Sequence, residues 1–152
     1  MNTEEKQELR NFLSEHTTLV LSTLGENGSP AAAALFYAED PDLNLYFISD
    51  SQSEHSSNLE HSTKVAVVIA ADGQDWKELN GVQMKGNCAK LKDKDRTRAD
   101  THYLSKFSFV LQNSMLRNKI EQSDFYVIKP EWIRVTDNRP SFADKREWRI
   151  EN

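Results

Sequence analysis

The sequence predicts a mostly β chain with flanking helices, built around an antiparallel closed sheet. Three observations lead there. Five short runs of β-branched and aliphatic residues lie before residue 92, and two more lie after residue 123. Most are joined by segments of turn length. Few helices are placed to cross over between strands, as a doubly wound parallel sheet would require.

The first element is an amphipathic helix. Asn2 is placed to cap it, Glu5 stands three residues on as in a capping box, and Leu9, Phe12 and Leu13 form one apolar stripe. From residue 17 the period changes, and TTLVLSTL (17–24) reads as a strand closed by the turn signal GENGSP. AAAALFYA (31–38) has enough alanine for a helix. The hairpin-sized turn before it and Leu35-Phe36-Tyr37 after it make it a strand whose alanines leave a low surface open to something flat.

A third strand covers 44–49, followed by a serine-rich loop and a short helix to about His61. KVAVVIAA (64–71) is nearly continuous in apolar residues and reads as a strand buried on both faces. A loop carrying Trp76 leads to a strand over 81–91, where Gly86 marks a bulge or a close backbone approach. Helical spacing returns over 93–107 and again, more briefly, over 109–120. Two strands, 124–129 and 131–136, are expected to break at Pro130, and a tail rich in arginine and aromatic residues follows. With no repeat, low-complexity segment or linker, residues 1–152 form a single domain.

Bulk properties narrow the function. At 152 residues, 38% hydrophobic and 28% charged, the chain can bury one proper core. A net charge of −5 argues against nucleic-acid binding, and the lysines and arginines of 85–98 are interrupted by Asp93 and Asp95. The single cysteine, Cys88, excludes an internal disulfide and fits a reducing compartment. There is no apolar leader in MNTEEKQELRNFL and no run near the ~20 residues of a membrane span. The expectation is a cytoplasmic protein without membrane contact. His16, His55, His61 and His102 lack metal-ligand spacing, so no metal is expected. Cys88 reads as a small packed strand residue rather than a nucleophile.

The window YFISDSQSEHSSNL (46–59) holds the most chemistry. A strand ends in Ser49, then Ser51, Ser53, Ser56 and Ser57 follow with His55 at the start of a helix. Hydroxyls and free helix N-terminal N–H groups are what a phosphate needs. The same pattern also serves as ordinary N-capping in water, and Asp50 and Glu54 bring negative charge. On the strand at 81–91, Gln83 and Lys85 alternate with Val82 and Met84, so both point to one face.

In this order the elements resemble the FMN-binding split-barrel family typified by pyridoxamine 5′-phosphate oxidase. LVLSTLGENGSPAAAALFYA is similar to its first hairpin. LNLYFISDSQSEHSSNLEHSTKVAVVIA is similar to its strand, phosphate loop, helix and buried strand, and GVQMKGNCAKL to the strand beneath the flavin. The likeness is clear over 9–92, and VTDNRPSFADKREWRI is similar to the end of a small, uncharacterised branch of that family.

The resemblance implies an antiparallel split β-barrel that binds FMN at a homodimer interface. Trp132, Trp148, Phe142 and Tyr126 give the C-terminal half an aromatic load suited to that interface. The strand-end hydroxyl corresponds to Ser49 and the family's Ser-x-basic triplet to Ser53-Glu54-His55, with Ser56 beside it. His55 stands where relatives carry lysine or arginine. Gln83 and Lys85 would meet the flavin's pyrimidine edge, and Trp148 with Lys145, Arg146 and Arg149 would close over a ligand. The implied function is an FMN-dependent oxidoreductase acting on a small molecule. The alternative is a flavin-free split-barrel binding or interaction dimer, with haem held through a histidine as a third reading.

Overall fold

The computed structural model describes residues 1–150. Its elements are α1 (Thr3–Glu15), β1 (Thr18–Leu24), β2 (Pro30–Phe36), β3 (Ala38–Glu39), β4 (Leu45–Ser49), α2 (Glu54–His61), β5 (Lys64–Ala70) and β6 (Asn80–Lys90). A helical insert follows: α3 (Asp93–Lys106), a 3-10 turn (Ser108–Gln112) and α4 (Ser114–Gln122). Then come β7 (Asp124–Asp137) and β8 (Asp144–Arg149). The strands make one curled antiparallel sheet in the order β2-β1-β5-β6-β7-β4-β3, and β8 pairs with the second half of β7. This is a split barrel with flanking helices.

Local chemistry sets most boundaries. The Asn2 side chain accepts from the Glu5 amide at 2.9 Å and the Glu5 carboxylate accepts from the Asn2 amide at 2.7 Å, closing the capping box of α1. Leu9 and Leu13 then bury against the sheet. The β1–β2 turn is closed by Gly25 and Ser29, with Gly28 at φ +74°, a left-handed conformation that glycine adopts without steric cost.

Two apolar layers result. One lies inside the curl, with Leu19, Leu21, Phe47, Val67, Met84 and Ile133 packed under α1. The other joins the far side of β4 and β7 to the insert through Tyr46, Tyr103, Phe107 and Phe125. Lys106 ties the insert to the rest. Its ammonium donates to the Leu13 carbonyl at 2.9 Å and to Glu39 at 2.5 Å, over the Tyr37 ring at 4.1 Å. Burial pulls its pKa down despite Glu39.

The structure departs from the sequence-based expectation in four places. The run 31–38 is two strands, because Tyr37 turns fully inward and its hydroxyl donates to the Leu13 carbonyl at 2.7 Å. Pro130 does not break a strand. It lies opposite Gly86, where the β6–β7 register shifts, and no residue of β4 or β8 pairs with it, so its missing N–H disturbs little of the ladder. A Cβ on Gly86 would fall 2.1 Å from the Lys129 carbonyl oxygen, which explains the glycine. Strand β5 is covered on one face only: Val65, Val67 and Ile69 are buried, while Val68 is 47% exposed. Finally, Tyr126 is a core residue stacked on Phe47 at 5.1 Å rather than a surface aromatic.

Candidate functional site

The end of β4 and the start of α2 bring Ser49, Ser53, His55 and Ser56 into one hydrogen-bonded knot. Ser53 caps α2, its hydroxyl accepting from the Ser56 amide at 3.2 Å. The Ser49 hydroxyl lies 2.6 Å from His55 Nε2, 2.8 Å from the Ser53 hydroxyl and 3.1 Å from that of Ser56. The Ser56 hydroxyl is also 2.9 Å from the Asp50 carbonyl oxygen. Ser49 and Ser56 are buried, whereas Ser53 and His55 are half-buried at the mouth. Burial holds the His55 imidazole below its usual range, with Glu54 opposing the shift, so the ring is neutral at neutral pH.

Two further donors complete the knot. The amides of Glu54 and His55, first and second in α2, bond to nothing among the described residues. Hydroxyls, an imidazole and two free helix-start amides match the acceptor-rich surface of a phosphate. What the set lacks is a fixed cation, since Asp50 and Glu54 flank a neutral ring.

Gln83 and Lys85 form a second cluster on the outer face of the sheet. The strand registers line up Ala34, Val20, Val68, Gln83 and Arg134 in one row and Ala32, Ser22, Ala66, Lys85 and Trp132 in the next. The small side chains keep this floor low, as the alanine-rich run predicts. A groove of about 440 Å³ runs over it, bounded by Leu24, Pro30, Lys64, Ala66, Lys85 and Glu131. Lys85 and Arg134 both stand over the Trp132 ring, at 4.9 and 4.8 Å. The sequence reading assigned Trp132 only to interface packing, although its alternation along β7 puts it on this face. An amide–hydroxyl bond of 3.0 Å from Asn58 to Thr23 braces α2 against the end of β1. Nothing in the sequence signals that pairing, which spans 35 residues.

Trp148 is not brought to either cluster within the protomer. It pairs with Ile133 on the opposite face of the sheet and donates to Glu5 at 3.2 Å. There it helps line a cavity of about 670 Å³ between α1 and β6–β8, in which Arg146 pairs with Glu8 and Arg139 with Asp137. Cys88 is buried and its thiol is pushed up to about 12, as expected of a packed strand residue.

The sequence model of pyridoxamine 5′-phosphate oxidase matches residues 5–137. The chain belongs to this family. A UPF0306 protein from Klebsiella pneumoniae is 26% identical over 118 residues, covering 77% of this chain and 75% of that protein. Solved structures share the fold. A heme binding protein from Mycobacterium smegmatis superposes with a TM-score of 0.78 at 15% identity, covering 98% of this chain and 59% of that one. A Clostridium acetobutylicum protein related to general stress protein 26, of the pyridoxinephosphate oxidase family, gives 0.71 at 13% identity, covering 99% and 97%. At these identities the superpositions establish architecture alone. No described helix is long and apolar enough to cross a membrane.

Proposed function

We propose that the chain is an FMN-binding split-barrel homodimer with oxidoreductase activity on a small molecule. The observation that carries this reading is the meeting of Ser49, Ser53, His55 and Ser56 with the two free amides of α2, in a fold whose family is named for a phosphate-bearing substrate. Bound FMN would supply reversible hydride and electron transfer. The protein's own part is positional. Ser53 and His55 hold the phosphate, with the α2 amides behind them. The low floor of Ala32, Ala34 and Ala66 accepts a flat ring, and Gln83 and Lys85 supply a donor and a positive charge at its polar edge. The exposed Val20, Leu24, Phe36 and Val68 support association through this face.

The test is direct. Protein as isolated should be yellow or should take up added FMN at micromolar levels, quenching the flavin's fluorescence. Ser53→Ala with His55→Ala should weaken binding at least about 100-fold, since each of the two charge-assisted hydrogen bonds contributes ~1.5–3 kcal/mol. Unchanged affinity in the double variant would remove the knot from the site.

A flavin-free reading is favoured by one specific feature: the knot's hydroxyls already satisfy one another and no fixed cation faces them. A colourless protein that refuses FMN would support it. Because solved structural relatives include a heme binding protein, a Soret band after adding haem would favour a haem carrier instead.

A further inference from the structure

We propose that the apolar knuckle of the helical insert, Phe109, Leu111 and Met115, is part of the contact between two copies of this chain, extending the sheet-face association. The inference rests on the dimer reading above and adds a second, separate contact element to it.

Three observations carry it. First, these side chains are 61%, 63% and 73% exposed, among the most open large apolar residues described. Second, the segment SFVLQNSML (108–116) has no charged residue in a chain that is 28% charged, and it follows the charge-dense α3, DKDRTRADTHYLSK. The sheet strands TLVLSTL and PAAAALF are equally free of charge. The knuckle and the β2–β1 side of the sheet face carry no charged residue, Lys64, Lys85 and Arg134 entering that face only from β5 onward, and both match an apolar partner surface.

Third, the patches are continuous. Phe36, at the end of β2 on the outer face, meets Phe107 edge-to-face at 5.7 Å, and Phe107 meets Phe109 at 6.2 Å. Taking ~150–200 Å² as the full area of a large apolar residue, the exposed fractions of Val20, Leu24, Phe36, Val68, Phe109, Leu111 and Met115 amount to roughly 600–700 Å². That approaches the ~800 Å² per partner of a standard stable interface, and the sheet-face residues alone supply about half of it. A two-fold contact uses the same patch on both copies, so an apolar surface of this size suits a second copy of the chain.

Sedimentation equilibrium of the full chain tests this with three variants. Wild type is expected to be a dimer. Leu111→Glu with Met115→Glu, and separately Val20→Glu with Val68→Glu, should each weaken dimerisation at least 100-fold while keeping the native circular dichroism. Trp76→Ser, which removes an exposed aromatic elsewhere, should leave it unchanged. A Leu111/Met115 variant that dimerises like wild type while the Val20/Val68 variant is monomeric overturns the knuckle and leaves the sheet-face dimer standing. A monomeric wild type overturns both. Hydrogen exchange on wild type serves where a variant fails to fold. Amides of 108–116 should slow on going from dilute to concentrated protein, and equal rates overturn the proposal.

Discussion

Raising the pH should weaken FMN binding through His55, and substituting that residue should remove the effect. In the free protein burial keeps the imidazole below its ordinary range, so it is neutral at pH 7. Its Nε2 lies 2.6 Å from the Ser49 hydroxyl, so a phosphate oxygen bonded within the knot would stand about 3–4 Å from the ring. At that separation a unit charge pair interacts by ~4 kcal/mol at an effective dielectric of 20. Measured charge-assisted hydrogen bonds retain ~1.5–3 kcal/mol of such energy. Binding should therefore draw a proton onto His55 and should be about 10- to 100-fold tighter where the ring is charged than where it stays neutral.

The assay is a fluorescence-quenching titration of FMN between about pH 5.5 and 8, run on wild type and on His55→Gln. The phosphate's own ionisation near pH ~6 pulls the other way in both proteins, so the ratio of the two dissociation constants isolates the histidine. The ratio should be largest in acid and decline as pH rises. His55→Lys should bind tightly across the range. A ratio that does not change with pH would refute the coupling.

Three other outcomes follow from the geometry. Gly86→Ala should destabilise the fold by about 3 kcal/mol in urea unfolding, because the added carbon meets the Lys129 backbone at 2.1 Å; a loss below ~1 kcal/mol would contradict the close approach. Lys106→Ala should cost about 3 kcal/mol by leaving Glu39 unpaired in a site where its side chain is only 16% exposed, and Lys106→Met with Glu39→Gln should recover most of it. A double variant no more stable than the single one would show that the pair is not the source of the loss. Lys85→Met should lower the midpoint potential of bound flavin, measured by dye-equilibrated reduction; an unchanged potential would place Lys85 away from the ring.

Much of this was readable from local chemistry. The α1 capping box, the hairpin turn and the Gly86 bulge each declare themselves within a few residues, and the structure places them as expected; the serines of 49–56 gather at the start of α2. What stayed hidden depends on partners far along the chain. Pro130 reads as a breaker until Gly86 and the register shift lie opposite it. The apolar run of β5 looks buried on both faces because composition does not say whether a second layer arrives. Trp148 and Lys85 sit at alternating positions that look equally available to a ligand, but pairing with β7 sends them to opposite sides of the sheet. The Lys106–Glu39 pair joins residues 67 positions apart and leaves no trace in either neighbourhood.

Strand β7 has a consequence for how the protein is made. It is the partner of β4 along its first half, of β8 along its second, and of β6 along nearly its whole length. On the ribosome it emerges only after Asp124, so the inner borders of two finished half-sheets wait uncovered until then. Such borders are templates for stray chains. The late arrival of one rod that zips both leaves together keeps the nascent chain most vulnerable until residues 124–137 have emerged.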